Sequence, residues 1–377
     1  DHSQKFFSRL IYMLNNLKKV LLKPNNKSCA PGNRLKKKMK LGEGAYGRVY
    51  RGAINRNGRR FVAYKEINTE KNTLGMAEFE FKVAQKLKAF KVPQMYLYKR
   101  CRDLDILYLE YFNGKELNDW WNSQISLKAA KSVLLQVIHT LYMINKRIPG
   151  FRHHDLHGGN VIINQVPEKN FTVNVLGKTY TISNGGVEAV IIDFGLSHMP
   201  GMINYSINRG QHEDVGISRS SHNLYDLHFF LSAVFAKVES KKTATDVAVY
   251  NFIKELIPND DYFTENSKVT KEHRIRLGLT KNHNLNLPSF TKSLTHPFFA
   301  KQNNGFMTGM VKASKAWRPR QNSFKTPKKT RFDTPRPYMR KTPTITPKSV
   351  KKKTTPVRRP QTAVKTGKQS TSRRKTA

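Results

Sequence analysis

Apolar and polar positions recur with two different periods between residues 35 and 300, and the change of period marks out the elements. Runs at 47–54 and 60–67 are strand-like and flank Asn55-Arg56-Asn57-Gly58, a hairpin signal. Residues 76–90 predict a helix with Phe79, Val83 and Leu87 along one face, and residues 104–112 a further strand. Residues 126–147 predict a long helix with Val133, Leu134, Val137, Ile138, Leu141 and Ile144 turned inward. Within 164–189 the alternation at Phe171, Val173 and Val175, a turn at Gly177-Lys178, and then Tyr180 and Ile182 predict a β-hairpin. Ahead of this domain, Phe7, Leu10, Ile11, Leu14, Leu17 and Leu21 fall at helical spacing in a basic amphipathic stretch. Packing onto the following domain is the preferred reading of that stretch over lying on a membrane surface. The polar, Asn- and Pro-containing residues 23–34 read as a linker, so residues 1–34 form one unit of helix and linker.

After residue 301 both periods vanish. Eight of the 17 prolines lie there, with a repeated Thr-Pro at Thr326, Thr334, Thr342, Thr346 and Thr355. Such a stretch buries too little apolar surface to offset its chain entropy, so residues 301–377 are expected to be a disordered tail.

Charge sharpens this division. The 377 residues hold 68 Lys and Arg against 26 Asp and Glu, a net of +42. The tail alone carries 23 basic residues and one acid, Asp333, hence +22 of that total. A field of this size calls for an anionic partner, nucleic acid first among the candidates, binding through 301–377 without sequence preference. The basic runs at 325–331 and 348–353 also suit nuclear import. Cys29 and Cys101 are the two cysteines, and no Cys/His cluster accompanies them, so neither a disulfide framework nor a zinc site is expected. No apolar run reaches the ~20 residues of a transmembrane helix. The expected location is intracellular, with no sign of secretion. The chain begins at Asp1, which suggests a trimmed or partial sequence and makes the lack of a leader weak evidence.

Candidate chemistry begins at Gly42-x-Gly44-x-x-Gly47-x-Val49, set between two strand-like runs. Glycines at this spacing let a backbone approach phosphates closely. Dinucleotide folds share the spacing, but there a helix follows, whereas here a second strand does. Val62-Ala63-Tyr64-Lys65 lies on the next strand, and the helix beyond offers Glu78 and Glu80 as a carboxylate for Lys65. Glu80 is preferred, because Leu87 seven residues later then packs into the core. His153-His154-Asp155-Leu156-His157-Gly158-Gly159-Asn160 follows the long helix, and an apolar strand ends in Asp193-Phe194-Gly195. Two carboxylates and an amide on adjoining loops suit phosphoryl transfer: one Asp positions the nucleophile, and the other joins Asn in holding Mg2+.

In this order the motifs resemble those of the protein kinase catalytic domain over residues 35–300. The resemblance implies an α+β, bilobal fold with a β-rich N-lobe and a helical C-lobe, and a reaction that moves the γ-phosphate of ATP to Ser/Thr hydroxyls of proteins. It implies nucleotide contacts at Gly42, Glu43, Gly44, Gly47, Val49, Ala63, Lys65, Leu109, Glu110 and Phe112, Leu109 being the gatekeeper. Asp155, Lys65, Glu80 and His157 would be the catalytic set, and Asn160 and Asp193 the Mg2+ ligands. Asp226 would brace the catalytic loop, and Thr295-His296-Pro297-Phe298-Phe299 resembles the close of many kinase domains.

Several departures narrow the resemblance. His154 replaces the usual arginine, His157 the usual lysine, and no Ala-Pro-Glu follows Asp193-Phe194-Gly195 before Asp226. These features and the 164–189 hairpin are similar to haspin-like kinases and to divergent Ser/Thr kinases of large DNA viruses. A viral origin would place the protein in host cytoplasm, nucleus or virion. Without an arginine to dock a phosphate, activity is expected without activation-loop phosphorylation. Two alternatives stay open: a small-molecule phosphotransferase of the aminoglycoside or choline type, and a pseudokinase acting as a virion or DNA-binding protein. The physiological substrate, any modification of Tyr, and the oligomeric state are not encoded legibly.

Overall fold

The computed structural model describes residues 35–44, 47–54, 61–69, 75–101, 104–208, 212–276, 285–300 and 307–310. The stretch at 6–22, the linker, the turn at 55–58 and all of the tail except 307–310 lie outside them.

Five strands alternate around one helix at the start of the chain: β1 (Lys36–Gly44), β2 (Gly47–Ala53), β3 (Phe61–Asn68), α1 (Met76–Leu87), β4 (Met95–Arg100) and β5 (Leu104–Glu110). They form an antiparallel sheet in the order β1-β2-β3-β5-β4. Helix α1 buries Phe79, Val83 and Leu87 and lies against β4 and β5. It stops at Leu87, short of residue 90, because the Phe90 amide turns back to the Leu87 carbonyl at 2.9 Å. One expectation fails in this lobe: Cys101 is disulfide-bonded. The other cysteine of the sequence, Cys29, lies outside the described residues.

Helices dominate the second half. After β6 (Lys115–Glu116) and α2 (Leu117–Trp121) comes α3 (Leu127–Arg147), whose Ser126 Oγ caps it by accepting from the Ala129 amide at 3.1 Å. The six inward positions expected on α3 are all buried. A 3-10 turn (Gly158–Asn160) leads into β7 (Val161–Gln165), β8 (Asn170–Val175), β9 (Lys178–Ser183) and β10 (Val187–Ile191). Then follow α4 (Tyr205–Asn208), α5 (Tyr225–Val238), α6 (Ala244–Leu256), α7 (Phe290–Leu294), α8 (Pro297–Ala300) and β11 (Met307–Met310). Pairing of β10 with β7 and of β7 with β6 brings the ends of several loops to one edge. The main core runs from α1 through α3 to α5 and α6, with Phe194 and Phe230 fully buried within it.

The inserted hairpin is β8–β9. Val175 pairs with Lys178, so its turn is Leu176-Gly177, one residue earlier than the sequence suggests. Both residues have positive φ, 52° and 78°, as a two-residue hairpin turn requires. Val173, Val175 and Ile182 face the core. Strand β11 pairs with the free side of β9, so ordered pairing continues past the boundary drawn near residue 300.

Candidate active site

The three glycines of the β1–β2 loop do different work. A Cβ on Gly42 or Gly44 would meet nothing within 4 Å, which leaves the loop's underside open for a ligand. A Cβ on Gly47 would stand 2.0 Å from the Glu66 carbonyl oxygen, so Gly47 is needed for β2 to lie against β3. Glu43 is exposed and is held by Lys40 at 2.5 Å and Arg48 at 3.0 Å. Those two cations pull its carboxyl down to about 2.

Lys65 sits opposite Val49 on β2 and Leu107 on β5, and Ala63 sits opposite Leu109, so these positions share one stretch of sheet. The Lys65 ammonium lies 3.0 Å from Glu80 Oε2 and 2.9 Å from Asp193 Oδ2. Glu78 faces away, to Lys82 at 2.6 Å. Side-chain exposure is 11% for Lys65 and 2% for Glu80, against 38% for Asp193. Burial opposes the charge on Lys65, but the Asp193 and Glu80 carboxylates outweigh it and hold its pKa above the ordinary lysine value. Burial pushes the Glu80 carboxyl up, with Lys65 pulling the other way. For Asp193 desolvation is overcome by Lys65, and its carboxyl falls below the usual range. Asp193 is therefore the firmer anion of the two. It follows the end of β10 with φ 62°, a left-handed backbone that turns its carboxylate into the cleft. At the last residue of β5, the Glu110 amide is already used by the Gln94 carbonyl at 2.9 Å. The half-buried Phe112 follows two residues later.

Asp155 and Asn160 meet on the loop before β7. Asn160 Nδ2 donates to the Asp155 carbonyl at 2.7 Å and to Asp155 Oδ2 at 3.1 Å. His157 Nδ1 accepts from the Gly159 amide at 3.0 Å, and its Nε2 lies 3.3 Å from Asn160 Nδ2 and 3.7 Å from Asp155 Oδ2. Partial burial opposes the Asp155 charge, but His157 and the Arg274 guanidinium hold its carboxyl well below the usual range. From below, Asp226 on α5 accepts from the His153 amide at 2.7 Å and the His154 amide at 2.8 Å. A divalent cation fits this donor set. With Asn160 Nδ2 committed to Asp155, its Oδ1 is left as a ligand, and Asp193 adds hard carboxylate oxygens. Among the described residues no group of three or more His, Cys, Asp and Glu forms a cage by itself.

Two further side chains, His154 and Arg274, tie this loop to the rest of the C-lobe. His154 is fully buried, with φ 66°; its Nδ1 meets the Leu196 carbonyl and its Nε2 the Ser221 hydroxyl, both at 3.0 Å. Burial lowers its pKa to about 4, so the ring is neutral at pH 7. Arg274, 119 residues beyond Asp155, donates to Asp155 Oδ1 at 2.5 Å. Nothing in the polar stretch around Arg274 signals this contact; the buried role of His154 is foreshadowed by its replacement of arginine.

Residues 35–203 match the protein kinase domain family. The chain is 21% identical over 211 residues to a protein of Acanthamoeba polyphaga mimivirus named for a serine/threonine-protein kinase, covering 52% of this chain and 44% of that protein. It is 34% identical over 94 residues to the serine/threonine-protein kinase haspin of Mus musculus, and 32% identical over 94 residues to that of Bos taurus. Each haspin match covers 25% of this chain and 12% of haspin. The chain thus spans less than half the length of these relatives.

Proposed function

We propose that this chain, which belongs to the protein kinase superfamily, transfers the γ-phosphate of ATP to serine and threonine hydroxyls of proteins. The observation that carries the proposal is the ammonium of Lys65, fixed between Glu80 and Asp193 on one side of the cleft and facing a loop that holds Asp155 and Asn160. In this reading Gly42 and Gly44 cover the nucleotide phosphates, with Glu43 on the outer rim of the loop. Val49, Ala63 and Leu109 line the adenine slot, and backbone groups of Glu110 and Phe112 bond the base. Lys65, oriented by Glu80, donates to the α- and β-phosphates. Asn160 Oδ1 and Asp193 would hold Mg2+, which when bound offsets phosphate charge.

Asp155 accepts a hydrogen bond from the substrate hydroxyl and aims its oxygen at the γ-phosphorus in line with the leaving group. Because its carboxyl is held ionised, its contribution is orientation, and the hydroxyl proton passes late, to Asp155 or a phosphate oxygen, as the new P–O bond forms and the bond to ADP breaks. His157 Nε2 faces the same space and donates to the transferring phosphoryl group, where a lysine would otherwise act. The test is incorporation of γ-labelled phosphate into protein Ser/Thr. Labelling above that of Asp155→Asn supports the reading, and equal labelling sinks it.

The +22 charge of residues 301–377 supports a second activity, nonspecific nucleic-acid binding. Full-length protein should bind duplex DNA with an affinity that falls steeply as salt rises, and a chain ending at Trp317 should lose most of it. Binding insensitive to salt would contradict this. Among the described residues no helix is long and apolar enough to cross a membrane.

A further inference from the structure

Arg274 belongs to a short turn between α6 and α7, closed by the Val269–Ile275 bridge. The Thr270 amide donates to the Arg274 carbonyl at 2.9 Å, and the Arg274 amide donates to Thr270 Oγ1 at 3.2 Å. His273, next to it, takes a left-handed backbone with φ 60°. The turn is therefore a defined backbone structure rather than a loop that happens to pass the cleft.

Both terminal nitrogens of the Arg274 guanidinium are engaged. Nη2 donates to Asp155 Oδ1 at 2.5 Å, while Nη1 donates to the His154 carbonyl and, at 3.3 Å, to the Tyr225 hydroxyl. The Tyr225 hydroxyl in turn donates to the Val215 carbonyl at 3.1 Å. The plane is flanked by the Phe229 ring, whose centroid is 4.2 Å from Cζ. With 12% of its side chain exposed, Arg274 is not a surface ion pair that solvent would screen.

The consequence falls on the carboxylate. Asp155 offers about four lone-pair positions on two oxygens. Arg274 takes one on Oδ1 and Asn160 one on Oδ2, so rotating the group about its Cβ–Cγ bond would break both hydrogen bonds at once. One position on each oxygen remains, so the fixed carboxylate can still accept from a substrate hydroxyl. An isolated carboxylate turns freely between two equivalent settings; this one does not.

We propose that Arg274 is a positioning residue for phosphoryl transfer, fixing the plane of the Asp155 carboxylate for the acceptor hydroxyl. The proposal rests on the kinase reading above. The turn also touches the segment that precedes α5. Gly216 has φ 77°, and a Cβ there would come within 1.9 Å of the Ile275 carbonyl oxygen. Val215 and Gly216 thus lie against the Arg274 turn, Val215 through the Tyr225 hydroxyl and Gly216 through Ile275.

The test compares Arg274→Met and Arg274→Lys with the parent in the full chain, measuring kcat, KM for ATP and thermal midpoint. Misdirecting a reacting group by about an ångström costs on the order of 10²-fold in rate. Arg274→Met should lose about that much kcat with KM for ATP within about twofold, and Arg274→Lys should recover part of it, because its ammonium reaches Oδ1 without the second arm. Unchanged kcat in Arg274→Met would overturn the proposal, as would a rise, which would mark Arg274 as a plug on the acceptor site. Loss of folding in both variants would make the residue purely structural and overturn it too. If the parent labels no more than Asp155→Asn, the kinase reading has failed. If the parent labels well and Arg274→Met matches it, the positioning role alone has failed.

Discussion

Around Lys65, the groups that meet come from three sequence motifs, and Glu80 lies only 15 residues further along the chain. Around Asp155, Asn160 comes from the same motif and Tyr225 adjoins the bracing Asp226, but Arg274 and Ser221 come from stretches that carry no motif at all. The nucleotide half of the cleft is held by charge: one buried ammonium between two carboxylates. The loop beneath the acceptor half is held largely by hydrogen bonds to the backbone and a hydroxyl: the His153 and His154 amides donate to Asp226, and the neutral His154 ring meets the Leu196 carbonyl and the Ser221 hydroxyl. The first arrangement depends on residue type at fixed spacing. The second depends on backbone carbonyls and hydroxyls that many sequences supply, so it can be rebuilt without leaving a recognisable trace.

The sharpest break in this comparison is Lys65→Met. Removing one fixed donor to a reacting phosphate costs on the order of 10²–10³-fold in rate, and the variant should lose that much kcat/KM. A variant within about twofold of the parent would show that the charged half is dispensable. Next, Gly47→Ala forces a methyl against a backbone oxygen and should cost about 1–3 kcal/mol of stability by urea unfolding. Gly44→Ala meets open space and should leave stability alone while raising KM for ATP. Equal unfolding midpoints for the two variants would contradict the division of labour in the loop.

Acid probes the other half. The folded-state pKa of His154 is about 4, below the ordinary 6.5, so the unfolded chain binds the extra proton between those values. The stability it contributes is complete above about pH 6.5 and is lost as pH falls toward 4, about 2 kcal/mol of it by pH 5. His228, buried and also lowered to about 4, adds a fall of the same sign. Unfolding free energy that stays flat from pH 7 to 5 would contradict the neutral-histidine account. The smallest expected effect is that of phosphatase treatment. His154 already joins Leu196 to Ser221, so kcat should not change when activation-segment phosphate is removed. A large loss would mean that these neutral bonds do not set the segment.

Much of the fold is legible in the sequence because period follows burial. The α3 face from Val133 to Ile144 and the β8–β9 alternation both reflect one side packed and one side wet. The choice of Glu80 over Glu78 followed from the same logic, since Glu80 shares the buried face with Leu87. What escaped is what period cannot encode. The end of α1 is set by a turn hydrogen bond at Phe90, and the hairpin turn by two positive φ angles. Strand β11 is short and pairs through its backbone, in a region whose composition reads as polar and irregular. Cysteine count says nothing of which thiols are close, so the disulfide of Cys101 leaves no trace in it. Arg274 was invisible because its partners are a carbonyl, a hydroxyl and a carboxylate brought together only by the tertiary fold.

The central claim is that these two halves together move phosphate from ATP to protein. The most direct measurement is phosphate incorporation into Ser and Thr of an offered protein by parent and Asp155→Asn, prepared identically with MgATP. The account predicts labelling that falls on the order of 10²–10⁴-fold in Asp155→Asn while ATP still binds. Equal labelling by the two proteins would contradict it.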